Sequence, residues 1–133
     1  MNYWILKTEP STYSFEELLK DKKTRWDGVR NYQARNNLRA MKVGDLAVIY
    51  HSGDGKAAVG LSKVASAPYK DPTSPDDWAT IDLKAVKAFK KPVTLAEMKA
   101  DKLLKAMTLV RNSRLSVSPL TKAEYDLLIK LSS

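Results

Sequence analysis

The residues best suited to chemistry lie close together between Arg25 and Met41, in the sequence RWDGVRNYQARNNLRAM. This stretch combines aromatic rings, guanidinium groups and side-chain amides, and a helix that served only as core would not need that mixture. Planar rings stack on planar ligands, and amides both donate and accept hydrogen bonds, as recognition of a nucleobase requires. The residues concerned are Trp26, Tyr32, Arg25, Arg30, Arg35, Arg39, Asn31, Gln33, Asn36 and Asn37. The stretch therefore predicts a site that recognises a base.

Positive charge is concentrated in the same part of the chain. The 133 residues include 23 Lys and Arg against 15 Asp and Glu, which gives a formal net charge of +8. Seven cations and two anions fall between Asp21 and Lys42, so this short segment carries a net +5. A basic surface attracts polyanions through long-range, salt-sensitive electrostatics. The distribution of charge, more than its total, favours an anionic partner for this segment.

The sequence contains no pattern typical of a catalytic or metal site. It has no cysteine and one histidine, His51, so a metal site built from imidazole and thiolate ligands is not expected. His51 and Ser52 are neighbours at a strand end and would point to opposite faces, which argues against a nucleophile–base pair. Glu9 and Asp27 lie near arginines and fit salt-bridge partners better than catalytic acids. We therefore expect no catalytic residues, no metal and no cofactor.

Length and composition predict one domain over residues 1–133. A chain of this length can bury a core without disulfides or metals. No apolar run approaches the ~18 residues of a membrane span, and the N-terminus MNYWILKTEPS lacks the layout of a signal peptide. We expect a cytoplasmic protein, or a nuclear one in a eukaryote, with no membrane partner and with a monomer favoured.

Apolar patterning predicts the elements that position the candidate residues. The N-terminal half is predicted to contain a buried strand over Tyr3–Lys7, a short helix opened by a capping box at Ser14–Glu17, a polar turn over Asp21–Thr24 and a helix over Tyr32–Met41. Ala34, Leu38 and Met41 would face the core from that second helix. Arg35 and Arg39 would then lie beside this apolar stripe, as phosphate binders or as solvated charges. Asn31 is also the natural N-cap of the helix.

The remaining chain predicts strands in the middle and helices at the periphery. A central strand is predicted over Leu46–Tyr50, followed by a hairpin turn at Gly53-Asp54-Gly55 and a strand over Ala57–Ala65 with Gly60 at a bulge or close approach. A loop over Pro68–Asp77 then leads to a strand over Trp78–Phe89 with a bulge at Val86. The last predicted elements are a helical stretch opened by a capping box at Thr94, a short strand over Arg114–Ser118, and a closing helix capped at Thr121 with Leu127, Leu128 and Leu131 inward. This order is typical of a small mixed barrel with helical covers.

Four segments together closely resemble the EVE domain family. They are YWILKTEP, the run RWDGVRNYQARNNLRAMKVGDLAVIYHS, the internal Gly60 and RLSV at 114–117. The similarity extends from about Asn2 to Leu131, although Thr8 stands where a serine is frequent in the family. EVE domains are PUA-like modules related to the YTH readers of methylated RNA. The resemblance implies an α+β fold, a PUA-like curved β-barrel of about five to six strands flanked by short helices. It also implies a pocket for a modified base, with nucleic acid, DNA or RNA, as the partner.

The resemblance and the residue chemistry together define a candidate site at the barrel mouth. A flipped base needs an aromatic surface, a polar group at its edge and cations on the flanking phosphates. The predicted ligand-binding residues are Lys7, Thr8, Glu9, Trp26, Asn31, Tyr32, Asn36, Tyr50, His51 and Ser52. The predicted phosphate-binding residues are Arg30, Arg35, Arg114 and Ser116. A methyl group in an aromatic slot is worth about 1–3 kcal/mol, which would favour a methylated base by about tenfold or more.

Several of these residues have a second, purely structural interpretation. Trp26 could stack on the base or fill the core, and Tyr50 could line the mouth or belong to the core. Ser52 could bind a base edge or hold a turn. Glu9 could accept a hydrogen bond from an exocyclic amine, or pair with Arg35 or Arg114. The alternatives to a modified-base binder are an enzyme or small-ligand binder acting on a nucleotide-like molecule in the same pocket, and a protein-interaction domain with a basic face.

Overall fold

A curled six-stranded sheet with helices around it forms the framework of the molecule. The computed structural model describes residues 1–53 and 55–133, so Asp54 of the predicted hairpin turn lies outside the described residues. The elements in chain order are β1 (Tyr3–Thr8), α1 (Phe15–Asp21), β2 (Lys23–Arg25), α2 (Tyr32–Ala40), β3 (Leu46–His51), β4 (Ala57–Val64), β5 (Tyr69–Lys70), β6 (Ala79–Thr80), β7 (Asp82–Thr94), α3 (Leu95–Ala100), a 3-10 turn (Leu104–Ala106), α4 (Thr108–Arg111), β8 (Val117–Leu120) and α5 (Lys122–Leu131). The predicted α+β fold, a curved β-barrel of about five to six strands flanked by short helices, is confirmed, and the sheet is a curled six-stranded half-barrel.

The strand order of the sheet is β2-β7-β4-β3-β1-β8, so the first strand lies inside the sheet, between β3 and the edge strand β8. β1 pairs in parallel with β3, which places Lys7 opposite Tyr50 and Thr8 opposite His51. On its other side β1 pairs antiparallel with β8. The carboxyl ends of β1 and β3 therefore lie side by side, as a shared barrel mouth requires.

Two apolar clusters pack against opposite sides of this sheet. One contains Trp26 with Leu38 of α2 and Phe15 and Leu18 of α1. The other contains Tyr50 with residues from α3, α4 and α5. Alternate side chains of a strand point to opposite faces, and the strand residues divide between the two clusters accordingly.

Most of the predicted elements form where the patterning placed them. Ser14 and Thr121 both make capping boxes, with Glu17 and Glu124 as their partners. Ala34, Leu38 and Met41 are all buried, as the i, i+4, i+7 spacing predicted. Gly60 is the point of closest approach to α1, because a Cβ there would lie 2.3 Å from Cε2 of Phe15. The bulge predicted at Val86 is confirmed, since Leu61 pairs with Lys87 while Ser62 pairs with Ala85.

Several predicted boundaries were wrong. The polar turn over Asp21–Thr24 instead includes most of β2, which pairs with β7. The loop over Pro68–Asp77 contains β5, which pairs with β6 at the start of the predicted long strand. The helical stretch after Thr94 divides into α3, a 3-10 turn and α4, and Thr94 caps α3 without a complete capping box.

Two further corrections concern the C-terminal region. The strand predicted over Arg114–Ser118 begins only at Val117, and its second residue, Ser118, is fully buried. Leu131 was predicted to face inward but is 36% exposed at the end of α5. Of the described helices, none is long and apolar enough to span a membrane.

Candidate functional site

A cleft of about 510 Å³ lies where β1, β2 and their following loops meet. Ligand sites for small molecules typically occupy about 300–1,000 Å³, so the cleft has room for a nucleotide-sized ligand. Its lining residues are Lys7, Thr8, Glu9, Thr12, Tyr13, Thr24, Arg25, Trp26, Asp27, Gly28, Val29, Arg30 and Ser116. Six of them were predicted from the sequence, namely Lys7, Thr8, Glu9, Trp26, Arg30 and Ser116.

Trp26 and Tyr13 form the aromatic wall of the cleft. Their rings meet edge to face, with centroids 6.3 Å apart and planes at 83°. Trp26 is 8% exposed and belongs to a core cluster, so the same side chain packs in the core and lines the cleft. The backbone N–H of Trp26 donates to the carbonyl of Ile81 at 2.8 Å, which fixes the main chain at Trp26 against the sheet. The cleft therefore presents a fixed π surface.

The end of β1 supplies the polar floor. The Lys7 N–H donates to the Ser116 carbonyl at 2.8 Å, and Thr8 Oγ1 donates to the Tyr13 carbonyl at 2.7 Å. Glu9 is exposed, and Ser52 Oγ donates to its Oε2 at 3.4 Å. Glu9 forms no salt bridge among the described residues, so the predicted pairing with Arg35 or Arg114 is not present. A carboxylate that accepts hydrogen bonds is thus available beside the aromatic wall.

The loop carrying Arg30 is held by the buried carboxylate of Asp71. Asp71 accepts hydrogen bonds from Arg30 Nη1 and Gly28 N–H, both at 3.0 Å, and from Thr73 Oγ1 at 2.6 Å. Burial by itself would raise the pKa of Asp71, but the hydrogen bonds from Thr73, Gly28 and Arg30 outweigh it and hold the pKa well below its usual range. Gly28 has φ +82°, a left-handed conformation suited to glycine. Arg30 lines the cleft but is already paired.

The helix α2 turns its predicted ligand-binding residues away from the cleft. Asn31 Oδ1 accepts from the Ala34 N–H at 2.9 Å and caps the helix. Asn36 Oδ1 accepts from Nη2 of Arg35 at 3.3 Å. Tyr32 is 68% exposed and stacks on Trp78, with ring centroids 5.2 Å apart. Neither these residues nor Arg35 lines the cleft.

Arg35 belongs instead to a separate surface cluster. Its guanidinium lies 5.0 Å from the Tyr32 ring centroid and 5.8 Å from that of Trp78. Arg35 Nη1 also donates to the Asp77 carbonyl at 3.2 Å, and Arg39 Nη2 lies 2.6 Å from Asp77 Oδ1. Both arginines of α2 are therefore engaged by the loop before β6.

The end of β3 lies beside the end of β1, but its side chains do not line the cleft. Tyr50 is buried in the second core cluster. His51 Nε2 accepts from the Phe15 N–H at 3.0 Å, at the first residue of α1. Burial lowers the pKa of His51, and the Glu16 and Glu9 carboxylates partly oppose that change. Ser52 contacts Glu9 and the Thr8 carbonyl. His51 is thus an uncharged acceptor that anchors a helix.

The sequence patterns did not predict Thr12, Tyr13 and Thr24 at the cleft, and Arg25 was named only as part of the basic run. Thr12 and Tyr13 lie in the loop before α1, whereas Thr24 and Arg25 reach the cleft on β2, which pairs with β7. Arg25 Nε donates to Asp27 Oδ2 at 2.8 Å, a pair at the rim. Arg114 was predicted at the site, but it is exposed and outside the cleft lining.

The side chains that line the cleft are suited to binding a planar, anionic ligand. The described lining residues include an aromatic corner, a carboxylate acceptor, hydroxyl groups and cations, without a cysteine or histidine to act as nucleophile or base. In the described part of the chain, no group of three or more His, Asp or Glu side chains could hold a metal ion. Aromatic stacking, acceptance from an amine and attraction of negative charge are the properties that recognise a nucleotide.

Comparison with known proteins assigns the family. The EVE domain model matches residues 2–131, and the chain belongs to the EVE domain family. Thymocyte nuclear protein 1 of Mus musculus is 39% identical over 165 residues, which cover 98% of this chain and 73% of the mouse protein. A protein of solved structure from Agrobacterium tumefaciens is 40% identical in sequence to this chain. The two structures superpose with a TM-score of 0.96, and the match covers 100% of this chain and 94% of the Agrobacterium chain. Human THYN1, solved in complex with 5-methylcytosine-containing DNA, is 35% identical with a TM-score of 0.91, covering 100% of this chain and 98% of that one.

Proposed function

We propose that residues 1–133 act as one EVE domain that binds DNA by receiving a modified base, a methylated cytosine, in the cleft beside Trp26. The observation that carries the proposal is the cleft itself, whose lining combines the Trp26–Tyr13 corner with the Glu9 carboxylate, which forms no salt bridge among the described residues, and with several cations. The complex of human THYN1 with 5-methylcytosine-containing DNA supports the choice of ligand. The base would have to leave the duplex to reach the cleft, because within the duplex its ring faces are stacked on the neighbouring bases.

Each part of the cleft would contact a different part of the nucleotide. The Trp26 ring would stack on the base, a contact worth roughly 1–3 kcal/mol. Glu9 would accept a hydrogen bond from the exocyclic amine of cytosine. The methyl group would contact the apolar faces of Trp26 and Tyr13, where one methyl discriminates by about 1–3 kcal/mol. Lys7 and Arg30 would lie toward the phosphates.

Binding without catalysis fits the described residues better than an enzyme does. The one histidine is not among the residues that line the cleft, and its Nε2 accepts from the Phe15 N–H. Among the described lining residues, the carboxylates of Glu9 and Asp27 have no cysteine or histidine beside them. A cytoplasmic or nuclear location, as predicted from the sequence, remains part of this proposal.

Replacement of Trp26 tests the proposal directly. Trp26→Ala is expected to remove most of the preference for methylated over plain oligonucleotides, because both the stacking surface and one methyl contact are lost. Trp26→Phe retains a π surface and should keep a clear preference. The measurement is fluorescence anisotropy with two duplexes that differ in a single methyl group.

Trp78→Ala is the matched control, since Trp78 is half-buried and lies outside the cleft. It should leave the ratio of the two affinities unchanged. Circular dichroism and thermal unfolding verify that each variant is folded, because Trp26 also packs in the core. A folded Trp26→Ala protein with the wild-type ratio would contradict the proposal.

A further inference from the structure

A second, smaller cavity lies next to the cleft and shares Lys7 with it. Its volume is about 110 Å³. A water molecule occupies about 30 Å³ of liquid, so the cavity holds roughly four waters, which suits a phosphate group but not a nucleoside. Its polar lining residues are Lys7, Tyr50, Ser52, Lys56, Lys99 and Ser113.

Three lysines from three different parts of the fold converge on this cavity. Lys7 comes from β1, Lys56 precedes β4 and Lys99 lies in α3. No carboxylate is present among the described residues of the lining. Burial lowers the pKa of Lys7, and the charge of Lys56 lowers it further, as two ammonium groups near each other must. An anion in the cavity would relieve this repulsion.

The hydroxyl group of Tyr50 is a preformed donor for such an anion. Tyr50 is 3% exposed, yet its hydroxyl has no hydrogen-bond partner among the described residues. It is also not sealed from solvent, because within the described chain the one buried side-chain polar atom left without a partner is Ser118 Oγ. A hydroxyl that lines a cavity and has no partner among the described residues is able to donate to an acceptor bound in that cavity. Ser52 Oγ and the Lys7 ammonium, which donates to the Ser113 carbonyl, lie on the same lining.

Three of the arginines that seemed suited to phosphate are already paired, and Arg114 lies outside the cleft lining. Arg30 is paired with the buried Asp71 at 3.0 Å. Arg35 and Arg39 are paired with Asp77. The lysines of the small cavity form no salt bridge with the described carboxylates. They are therefore the cations beside the cleft that are best able to accept a new anion.

We propose that the cavity between β1, β3 and α3 binds a phosphate group through Lys7, Lys56, Lys99 and the Tyr50 hydroxyl. The inference rests on the proposed function in one respect: the phosphate is the DNA backbone group adjacent to the flipped nucleotide. Lys7 borders both cavities, so the base and that phosphate contact opposite sides of one side chain. A free phosphate-bearing molecule has the same chemistry, and the experiment separates the two sources.

The test compares two double variants that remove the same charge. Lys56→Gln/Lys99→Gln alters the cavity, and Lys102→Gln/Lys105→Gln alters exposed lysines that lie outside its lining. The cavity variant should bind a methylated duplex about tenfold more weakly, and its salt slope, the change of log K with log salt concentration, should decrease in size by about 1. The control variant should lose less than twofold. Equal losses in the two variants would overturn the proposal.

Replacing single phosphates of the DNA by uncharged methylphosphonates identifies which phosphate is bound. A methylphosphonate on one side of the modified base should weaken binding of the wild-type protein and cause no further loss in the cavity variant. Titration with inorganic phosphate supplies the other source. If the cavity variant loses inorganic phosphate binding but keeps full affinity for the duplex, the assignment to the DNA backbone is overturned. Tyr50→Phe, which keeps the packing, should weaken duplex binding by about threefold.

Failure of the proposed function gives a different result. The cavity variant is expected to keep the wild-type ratio between methylated and plain duplexes, because the base contacts remain. If the wild-type protein shows no preference for any modified duplex, the base-binding proposal fails. The difference in salt slope between the two double variants still tests the phosphate site in that case.

Discussion

Asp71 determines the shape of the cleft although it lies outside the lining. Its buried carboxylate gathers hydrogen bonds from Arg30, Gly28 and Thr73. These bonds connect a loop near residue 71 to the segment that follows Trp26, more than forty residues earlier in the chain. A hydrogen bond to a charged group is worth about 1.5–3 kcal/mol, so the loop is held firmly.

Asp71→Asn should lower the free energy of unfolding by about 2 kcal/mol at neutral pH, because the charge-assisted hydrogen bonds weaken. The wild-type pKa of Asp71 is lower in the folded state than in the unfolded state. The stabilisation is therefore present above the unfolded pKa, about 3.9, and is lost as the pH falls below it. Urea unfolding at pH 7 and pH 3.5 measures both effects.

Asp76→Asn is the control for this prediction, because Asp76 is exposed in the same loop. It should change the free energy of unfolding by less than about 0.5 kcal/mol, as surface substitutions usually do. If both variants were equally stable at neutral pH, the role assigned to Asp71 would be incorrect.

The residues that the sequence predicted at the cleft are those set by local pattern. Lys7, Thr8 and Glu9 follow from a strand that ends before a proline, and Trp26 from its position in a polar, basic run. The position of Tyr13 could not be predicted from the sequence, because it depends on the Thr8 hydrogen bond and on packing against Trp26. These contacts join segments that no spacing rule connects.

Arginines show the same limit. Helical periodicity correctly placed Arg35 beside the apolar stripe of α2. It could not show that Arg35 is bound by Asp77, a residue 42 positions away in the chain. Whether a cation is free or paired is a tertiary property, so the predicted phosphate binders needed the structure for their assessment.

At the scale of the element, α1 is fastened to the end of β3 through His51. Its first residue, Phe15, donates its N–H to His51 Nε2 and packs its ring on the glycine backbone at Gly60. The helix is short, and such helices gain most of their stability from tertiary contacts. The contact also positions the loop that carries Tyr13.

Protonation of His51 should weaken this attachment. Burial lowers the folded-state pKa of His51 below its unfolded value of about 6.5. The unfolded chain then binds the proton more readily, so the stabilisation is fully present above about pH 6.5 and is lost as the pH falls through the folded pKa. Urea unfolding at pH 7.5 and 5.0 should show a decrease in stability for the wild-type protein.

His51→Gln separates this effect from other titrations, because a glutamine oxygen accepts a hydrogen bond and does not ionise. The variant should show a smaller decrease between pH 7.5 and 5.0 than the wild-type protein. An identical decrease in both would mean that another group causes it.

At the scale of the whole molecule, the net charge of +8 would act together with the proposed base site, which selects its ligand by shape. Long-range attraction to DNA depends on the sum of charges, whereas recognition of a methyl group depends on contacts inside the cleft. The two contributions should therefore respond differently to salt.

Affinity for a methylated duplex should fall by roughly ten- to a hundredfold between 50 and 200 mM salt, as about two to four phosphate contacts would produce. The ratio of methylated to plain affinities should stay nearly constant over the same range. Anisotropy titrations at four salt concentrations test both statements. A ratio that fell in parallel with the affinity would indicate that the discrimination itself is electrostatic.

The position of β1 in the sheet has a consequence for how the chain folds during synthesis. β1 is made before the other strands described here, yet its two neighbours are β3 and β8, so one of its edges stays open until residue 120 has emerged from the ribosome. Pairings between distant segments are slow to form, and an unpaired strand edge invites association with other chains. Release of a nascent chain before β8 should therefore yield an aggregation-prone product, although most of the cleft residues have already been translated.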